Sequence, residues 1–312
     1  MERKCVSRRD FTRNITMAGI GTVMMPVLKQ GEIGTGINKP VSINSSLKIS
    51  LNAYSFDKPL RAGTMTIDNL LDYCAAKGFD GVDLTGYYFP GYPAVPSDDF
   101  IFHVKKKAFH LGLGISGTGV KNDFTWSDAA KRAVEKQLVK DWIIVAEKLG
   151  SPIVRIFAGT LSKENFSWDD RAKWIADDIR ECAEFGKKHG VMTAMQNHND
   201  FIKTPSDVEK MMNLVNSEWN GLLLDIGSYH SSDPYKDVAL NAKYAISWQL
   251  KEKVYINEKQ VDTDYLRIIS IVRECGYKGY LPLETLGEGD PAVKVEALFT
   301  KVKTVLNNPI PQ

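Results

Sequence analysis

The strongest constraint on this chain is an alternation that begins at Leu47 and runs almost to its end. A short apolar run is followed by a helical pattern, and the pair keeps recurring. The runs are "LKISLNAYSF" (47–56), "GVDLTG" (81–86), "LGISGTGV" (113–120), "PIVRIFAG" (152–159), "VMTAMQNH" (191–198), "GLLLDIGSY" (221–229), "AISWQLKEKV" (245–254) and "GYLPLETL" (279–286). Between and after them lie helical patterns at 66–78, 98–111, 127–149, 169–188, 204–216, 233–244, 264–276 and 291–306. Thr66 and Gly78 bracket the first as N-cap and stop, and Thr204-Pro205 opens the fifth. Short apolar strands alternating with helices imply parallel pairing with the helices outside. Eight such units in roughly 260 residues predict a closed (β/α)₈ barrel, the TIM barrel fold. A doubly wound open sheet is the alternative. It lacks support because "LNAYSFDKPL" (51–60) has no phosphate-binding glycines, which also argues against a nucleotide cofactor.

Residues 1–46 stand outside this pattern. A basic stretch containing Ser7-Arg8-Arg9-Asp10-Phe11 precedes an apolar, Gly-bearing run at 15–28. The combination resembles a twin-arginine export signal followed by a linker, and predicts a periplasmic protein. The alternative is a basic tail on a cytoplasmic one. The barrel domain is then 47–312. Net charge is +2, from 40 basic and 38 acidic residues, so no field favours nucleic acid or an anionic membrane. No apolar run is long enough for a membrane span. An assembly of identical copies is left open. Cys74, Cys182 and Cys275 sit among apolar residues at helical spacing and are expected to be buried thiols.

Barrel sites are built at the C-terminal ends of the strands and in the loops that follow. That rule selects Asp83, Asn122 and Asp123, then Arg155, Gln196 with Asn197 and His198, Asp225 with the nearby His230, Gln249 with Lys251, and Glu284; Asp83 and, outside the rule, His103 are weaker candidates. A polar side chain inside a short strand cannot face the apolar helix layer without cost, so Gln196, Asp225, Gln249 and Glu284 should point into the barrel. They come from four consecutive barrel strands. Four convergent oxygen-bearing side chains suit a hard divalent cation, Mg²⁺ or Mn²⁺. A metal-free hydrogen-bonded network satisfies the same residues. The aromatic residues Tyr87, Tyr88, Phe89, Tyr92, Trp126 and Trp168 fall in loops at the same end, where rings can stack on the apolar face of a sugar.

These motifs, "MQNHND", "LLLDIGSYH", "SWQLKEK" and "LPLETLG", resemble those of the xylose isomerase-like barrels known as sugar phosphate isomerases/epimerases. The likeness covers 47–306. It implies a metal site of Glu, Asp, His and Glu on those four strands, with the two Glu residues as an acid/base pair. Here Gln196 and Gln249 stand where the resemblance expects Glu and His. A glutamine keeps the shape but cannot abstract a proton. The expected activity is therefore isomerisation or epimerisation of a free sugar or keto-sugar, with Glu284 as base and His198 or His230 as partner. Arg155, Asn197, Lys251, Tyr88 and Trp126 are the expected substrate contacts. A lyase or dehydratase of the same fold, and a sugar-binding barrel without catalysis, are the alternatives. An abasic-site nuclease, which shares the barrel type, would need a His-rich zinc cluster, and the chain has five His in all.

Overall fold

The computed structural model describes residues 47–160 and 164–308, so the basic and apolar N-terminal segment lies outside the described residues. The strands, in chain order, are β1 (Lys48–Asn52), β2 (Gly81–Thr85), β3 (Gly114–Gly119), β4 (Ile153–Ile156), β5 (Met192–Gln196), β6 (Asn220–Asp225), β7 (His230–Ser231), β8 (Ala245–Lys251), β9 (Lys253–Ile256), β10 (Lys259–Asp262) and β11 (Tyr280–Glu284). Eight of them close a parallel barrel in the order β1-β11-β8-β6-β5-β4-β3-β2, and β10, β9 and β7 form a small separate sheet. The (β/α)₈ expectation therefore holds, and Gln196, Asp225, Gln249 and Glu284 do lie on four adjacent strands.

Local chemistry sets the helix boundaries. The helix Ile67–Lys77 opens with a reciprocal capping box between Thr66 and Asn69 and stops at Gly78, whose φ of 77° suits a residue without a Cβ. Thr204 and Asp207 form the same box ahead of Pro205–Val215. The helix expected from 127 begins at Ala129, because the Asp128 carboxylate caps it. The helix expected over 233–244 is Pro234–Asn241, capped by Asp233, followed by a 3₁₀ turn Ala242–Tyr244. Among the described residues, no helix is long and apolar enough to cross a membrane.

Two features depart from the expected pattern. The run 245–254 is not one strand. It breaks at Glu252, and β9 turns back through β10 as an antiparallel hairpin that pairs with β7. A short helix, Asp57–Arg61, also follows the first strand. Cys74 and Cys182 are buried, but Cys275 is exposed. It caps the end of the helix Tyr265–Glu274, and its thiol donates to the Val272 carbonyl at 3.2 Å.

The main apolar core lies between sheet and helices. Outward-facing Val82, Leu84, Leu222, Leu224, Trp248 and Leu283 pack there against helix residues such as Trp142, Ile179 and Ile268. Inside the barrel a second, smaller cluster of Ile153, Ala194 and Leu223, with Met192 and Ile246, fills the shaft. Below it the Tyr280 ring lies across β2 and β3. A Cβ on Gly81 would come within 2.7 Å of that ring, and one on Gly114 would overlap its hydroxyl, so both positions need glycine. Apolar packing fills the lower shaft, which leaves the polar tips of the strands at the upper mouth.

Candidate active site

The mouth of the barrel holds a cavity of about 310 Å³, at the small end of the range for small-molecule pockets. Gln196, Gln249, Lys251 and Glu284 form one side of its lining, with His198 at the rim. Asn52, Thr85, Tyr87, Arg155 and Phe157 form the other.

On the first side the charges close on one another. The Lys251 ammonium lies 2.9 Å from Asp225 Oδ2 and 2.8 Å from Glu284 Oε2. Gln196 Nε2 donates to the same Asp225 Oδ2 and to Gln249 Oε1, both at 2.9 Å. Asp225 Oδ1 accepts the Gly227 N–H at 2.9 Å. Asn197 grips the Asp225 backbone from both ends, donating to its carbonyl and accepting its N–H. Asp225 is wholly buried and both of its oxygens are engaged. Glu284 is different: Oε2 meets Lys251, while Oε1 makes no hydrogen bond among the described residues and the side chain lines the cavity. Burial alone would lower the Lys251 pKa. Asp225 and then Glu284 outweigh that effect and hold the ammonium well above the ordinary lysine range.

On the second side, Arg155 Nη1 donates to the Val120 carbonyl at 2.6 Å and Nη2 to the Tyr87 hydroxyl at 2.8 Å. Its guanidinium also sits 4.1 Å from the centroid of the Phe157 ring. Behind it Asp83 is buried, and its carboxyl is pushed up to about 6. Burial is the main cause. Arg155 pulls the value part of the way back, Glu284 adds to the rise, and Asn52 opposes it through a hydrogen bond.

The structure sorts the remaining sequence candidates. His198 lines the cavity, with Nδ1 3.2 Å from Asp200 and its ring against Phe157. His230 does not line it. Its imidazole stacks on Tyr255 at 3.9 Å and bonds Glu258 at 2.7 Å, because β7 carries it into the small outer sheet. Tyr88 also turns away, donating to Asp57 at 2.7 Å, and its neighbour Tyr87 takes the place in the lining. Trp126 lies under the Lys131 ammonium, 4.2 Å from its ring centroid, outside the lining. Asn197 is a brace for Asp225 and makes no part of the wall. Lys251 lines the wall but is held by two carboxylates. Sequence reasoning missed Asn52, Tyr54, Arg61, Thr85, Lys121, Phe157 and Leu286. Asn52 and Thr85 end β1 and β2; the strand-end rule reaches Thr85 at the close of its run, whereas Asn52 lies inside the longer run 47–56.

The expected Mg²⁺ or Mn²⁺ set of Gln196, Asp225, Gln249 and Glu284 is brought together, but the donors do not fit a cation. Asp225 is an acceptor only, so Gln196 must present its NH₂ to it. Gln249 must then present its oxygen to the other Gln196 N–H. Flipping Gln196 would set its oxygen against two other acceptors. The space between Asp225 and Glu284 is taken by Lys251. Among the described residues there is no group of three or more His, Cys, Asp or Glu able to hold a metal ion.

The closed parallel barrel, with its polar cluster on β5, β6, β8 and β11, places the chain among the TIM barrels, and comparison makes the family specific. Residues 71–301 match the model of the xylose isomerase-like TIM barrel family. The chain belongs to this family. No functionally curated protein matches it in sequence. Among solved structures, it is similar to D-psicose 3-epimerase from Clostridium cellulolyticum H10, crystallised with D-tagatose, at 16% identity and a TM-score of 0.69, over 83% of this chain and 99% of that one. The 3-keto-D-glucoside 4-epimerase from E. coli matches at 14% identity and a TM-score of 0.66, over 83% and 99%. A xylose isomerase-like barrel from Mycobacterium smegmatis, in complex with magnesium, matches at 19% and 0.65, over 84% and 98%. At these identities the likeness is one of fold.

Proposed function

We propose that the barrel binds a free sugar or keto-sugar in its mouth and moves a proton on the carbon beside the carbonyl, with Glu284 as the base. The observation that carries this reading is the contrast between the two carboxylates: Asp225 is saturated, whereas Glu284 faces the cavity with Oε1 unengaged among the described residues. Family membership supports the carbohydrate class, as do neighbours named as sugar 3- and 4-epimerases. In the proposed step Glu284 takes the proton. The C–H pair becomes the C=C bond and the carbonyl pair moves onto oxygen. Transfer of the adjacent hydroxyl's proton to the former carbonyl oxygen, with the proton returned from Glu284 to the former carbonyl carbon, makes the hydroxyl-bearing carbon the new carbonyl and gives an isomer with nothing gained or lost. Gln196 cannot act as a second base, so inversion at one carbon would need His198 to deliver the proton from the rim.

The test is exchange in D₂O with a panel of ketoses that includes D-psicose and D-tagatose. Wild-type protein should place deuterium beside the carbonyl, and Glu284→Gln should lower the rate by roughly 100-fold or more. Undiminished exchange in that variant removes Glu284 from the role. Sugar binding without exchange by the wild type would favour a binding barrel instead. Export belongs to the same reading: replacing Arg8 and Arg9 by lysine should retain the full-length chain in the cytoplasm, and equal periplasmic recovery would remove that part.

A further inference from the structure

We infer that the Lys251 ammonium is the resident cation of this barrel, filling the place that family resemblance gives to a divalent metal ion. Three observations on this chain's own residues carry it. First, Nζ lies between Asp225 and Glu284 at 2.9 and 2.8 Å, so the two remaining carboxylates of the expected ligand set are spent on one lysine. Second, the group is sequestered: the Lys251 side chain is 14% exposed, that of Asp225 is 0% and that of Glu284 is 6%. Third, the altered ligand positions suit a monovalent centre. A glutamate at 196 would set a third carboxylate against Asp225 Oδ2, a charge that one ammonium could not balance. Gln196 instead donates an N–H to that oxygen. Gln249, in the position expected to hold a histidine, accepts the second N–H. The neutral amides at 196 and 249 thus leave Asp225 and Glu284 to the one ammonium at the centre.

An ammonium has three N–H donors, and two are used here. The third is available to a ligand oxygen in the cavity that Lys251 lines. This last point rests on the proposed proton transfer: Lys251 would donate to the oxygen on which negative charge collects when Glu284 removes the proton. The occupancy of the site by Lys251 does not depend on that reaction.

The deciding experiment uses the full chain and Mn²⁺ alone, with no substrate. Mn²⁺ binding is followed by electron paramagnetic resonance and by the thermal midpoint, after dialysis against EDTA. Wild-type protein should show no stoichiometric Mn²⁺ binding and an unchanged midpoint. Lys251→Met should gain one Mn²⁺ and a midpoint raised by several degrees when the ion is added, because it leaves two facing carboxylates without a cation. One equivalent of Mn²⁺ on the wild type, lost on Asp225→Asn, overturns the inference, and so does a folded Lys251→Met that stays indifferent to Mn²⁺. If that variant does not fold, the wild-type titration decides alone. The outcomes separate from those of the proposed function. Absence of deuterium exchange in a protein that binds no Mn²⁺ removes the reaction and leaves the ammonium in place. Exchange that appears only with Mn²⁺ does the reverse.

Discussion

The two walls of the mouth handle charge in opposite ways. On β5, β6, β8 and β11, Asp225, Lys251 and Glu284 satisfy one another within 3 Å, and the amides of Gln196 and Gln249 complete the group. On the β2 to β4 side, Arg155 rests on a carbonyl, a hydroxyl and an aromatic face, with no carboxylate within ion-pair distance among the described residues. Asp83 sits behind it, buried and hard to ionise. The first wall ties its charges to one another, two carboxylates on one ammonium. The second keeps a cation whose partners are neutral and which can therefore recruit a ligand oxygen. Under the proposed function this asymmetry would divide the labour, with the base held on one side and recognition offered by the other.

Four measurements test this contrast. The largest effect should come from Lys251→Ala, which strands Asp225 and Glu284 in the first wall. Breaking a buried ion pair from one side costs about 3–5 kcal/mol, read as a fall in the urea midpoint. A loss below about 1 kcal/mol, the level of an exposed pair, would show that these charges do not depend on one another. Next is the pH dependence of the second wall. The Asp83 carboxyl is raised from 3.8 to about 6 in the folded state. Its stabilising contribution is therefore fully present below pH 4 and is lost as pH rises through 6. Two pH units correspond to roughly 3 kcal/mol. Asp83→Asn should flatten the stability profile between pH 4 and 7 relative to wild type. An unchanged profile would show that Asp83 is solvated.

Third, Arg155→Met should destabilise by about 1–2 kcal/mol, the worth of its hydrogen bonds, and weaken sugar binding by about tenfold, equivalent to 1.4 kcal/mol. Calorimetry showing unaltered affinity would remove the recruiting role. The smallest effect should be that of His230→Ala. The His230–Glu258 pair is at the surface, with the glutamate side chain 74% exposed, and such pairs contribute about 0–1 kcal/mol. Turnover should be unchanged, and a tenfold loss would bring the outer hairpin into the site.

The first wall was far more legible in the sequence than the second. Gln196, Asp225, Gln249 and Glu284 each interrupt or end an apolar strand, and a polar group there has one low-energy direction. Asn52 was hidden because Ala53, Tyr54 and Phe56 continue the run past it. In the structure they leave the strand as a 3₁₀ turn, with Asn52 as its cap. Tyr87 and Tyr88 cannot be told apart by composition. The turn Gly86–Tyr88 sends one ring to Arg155 and the other to Asp57. Arg61 lies on a helix of five residues with Pro59 inside it, too short to leave a periodic signal. His230 was placed by analogy of spacing, and a two-residue strand pairing with β9 carried it elsewhere. Side chains fixed by strand alternation were readable, whereas those aimed by turns and short pairings were not.

The Tyr280 ring seated on Gly81 and Gly114, with Ile153, Ala194 and Leu223 stacked over it, makes the shaft a blind alley. Whatever enters must depart through the same opening. A ligand held at the mouth therefore meets bulk solvent on one side only.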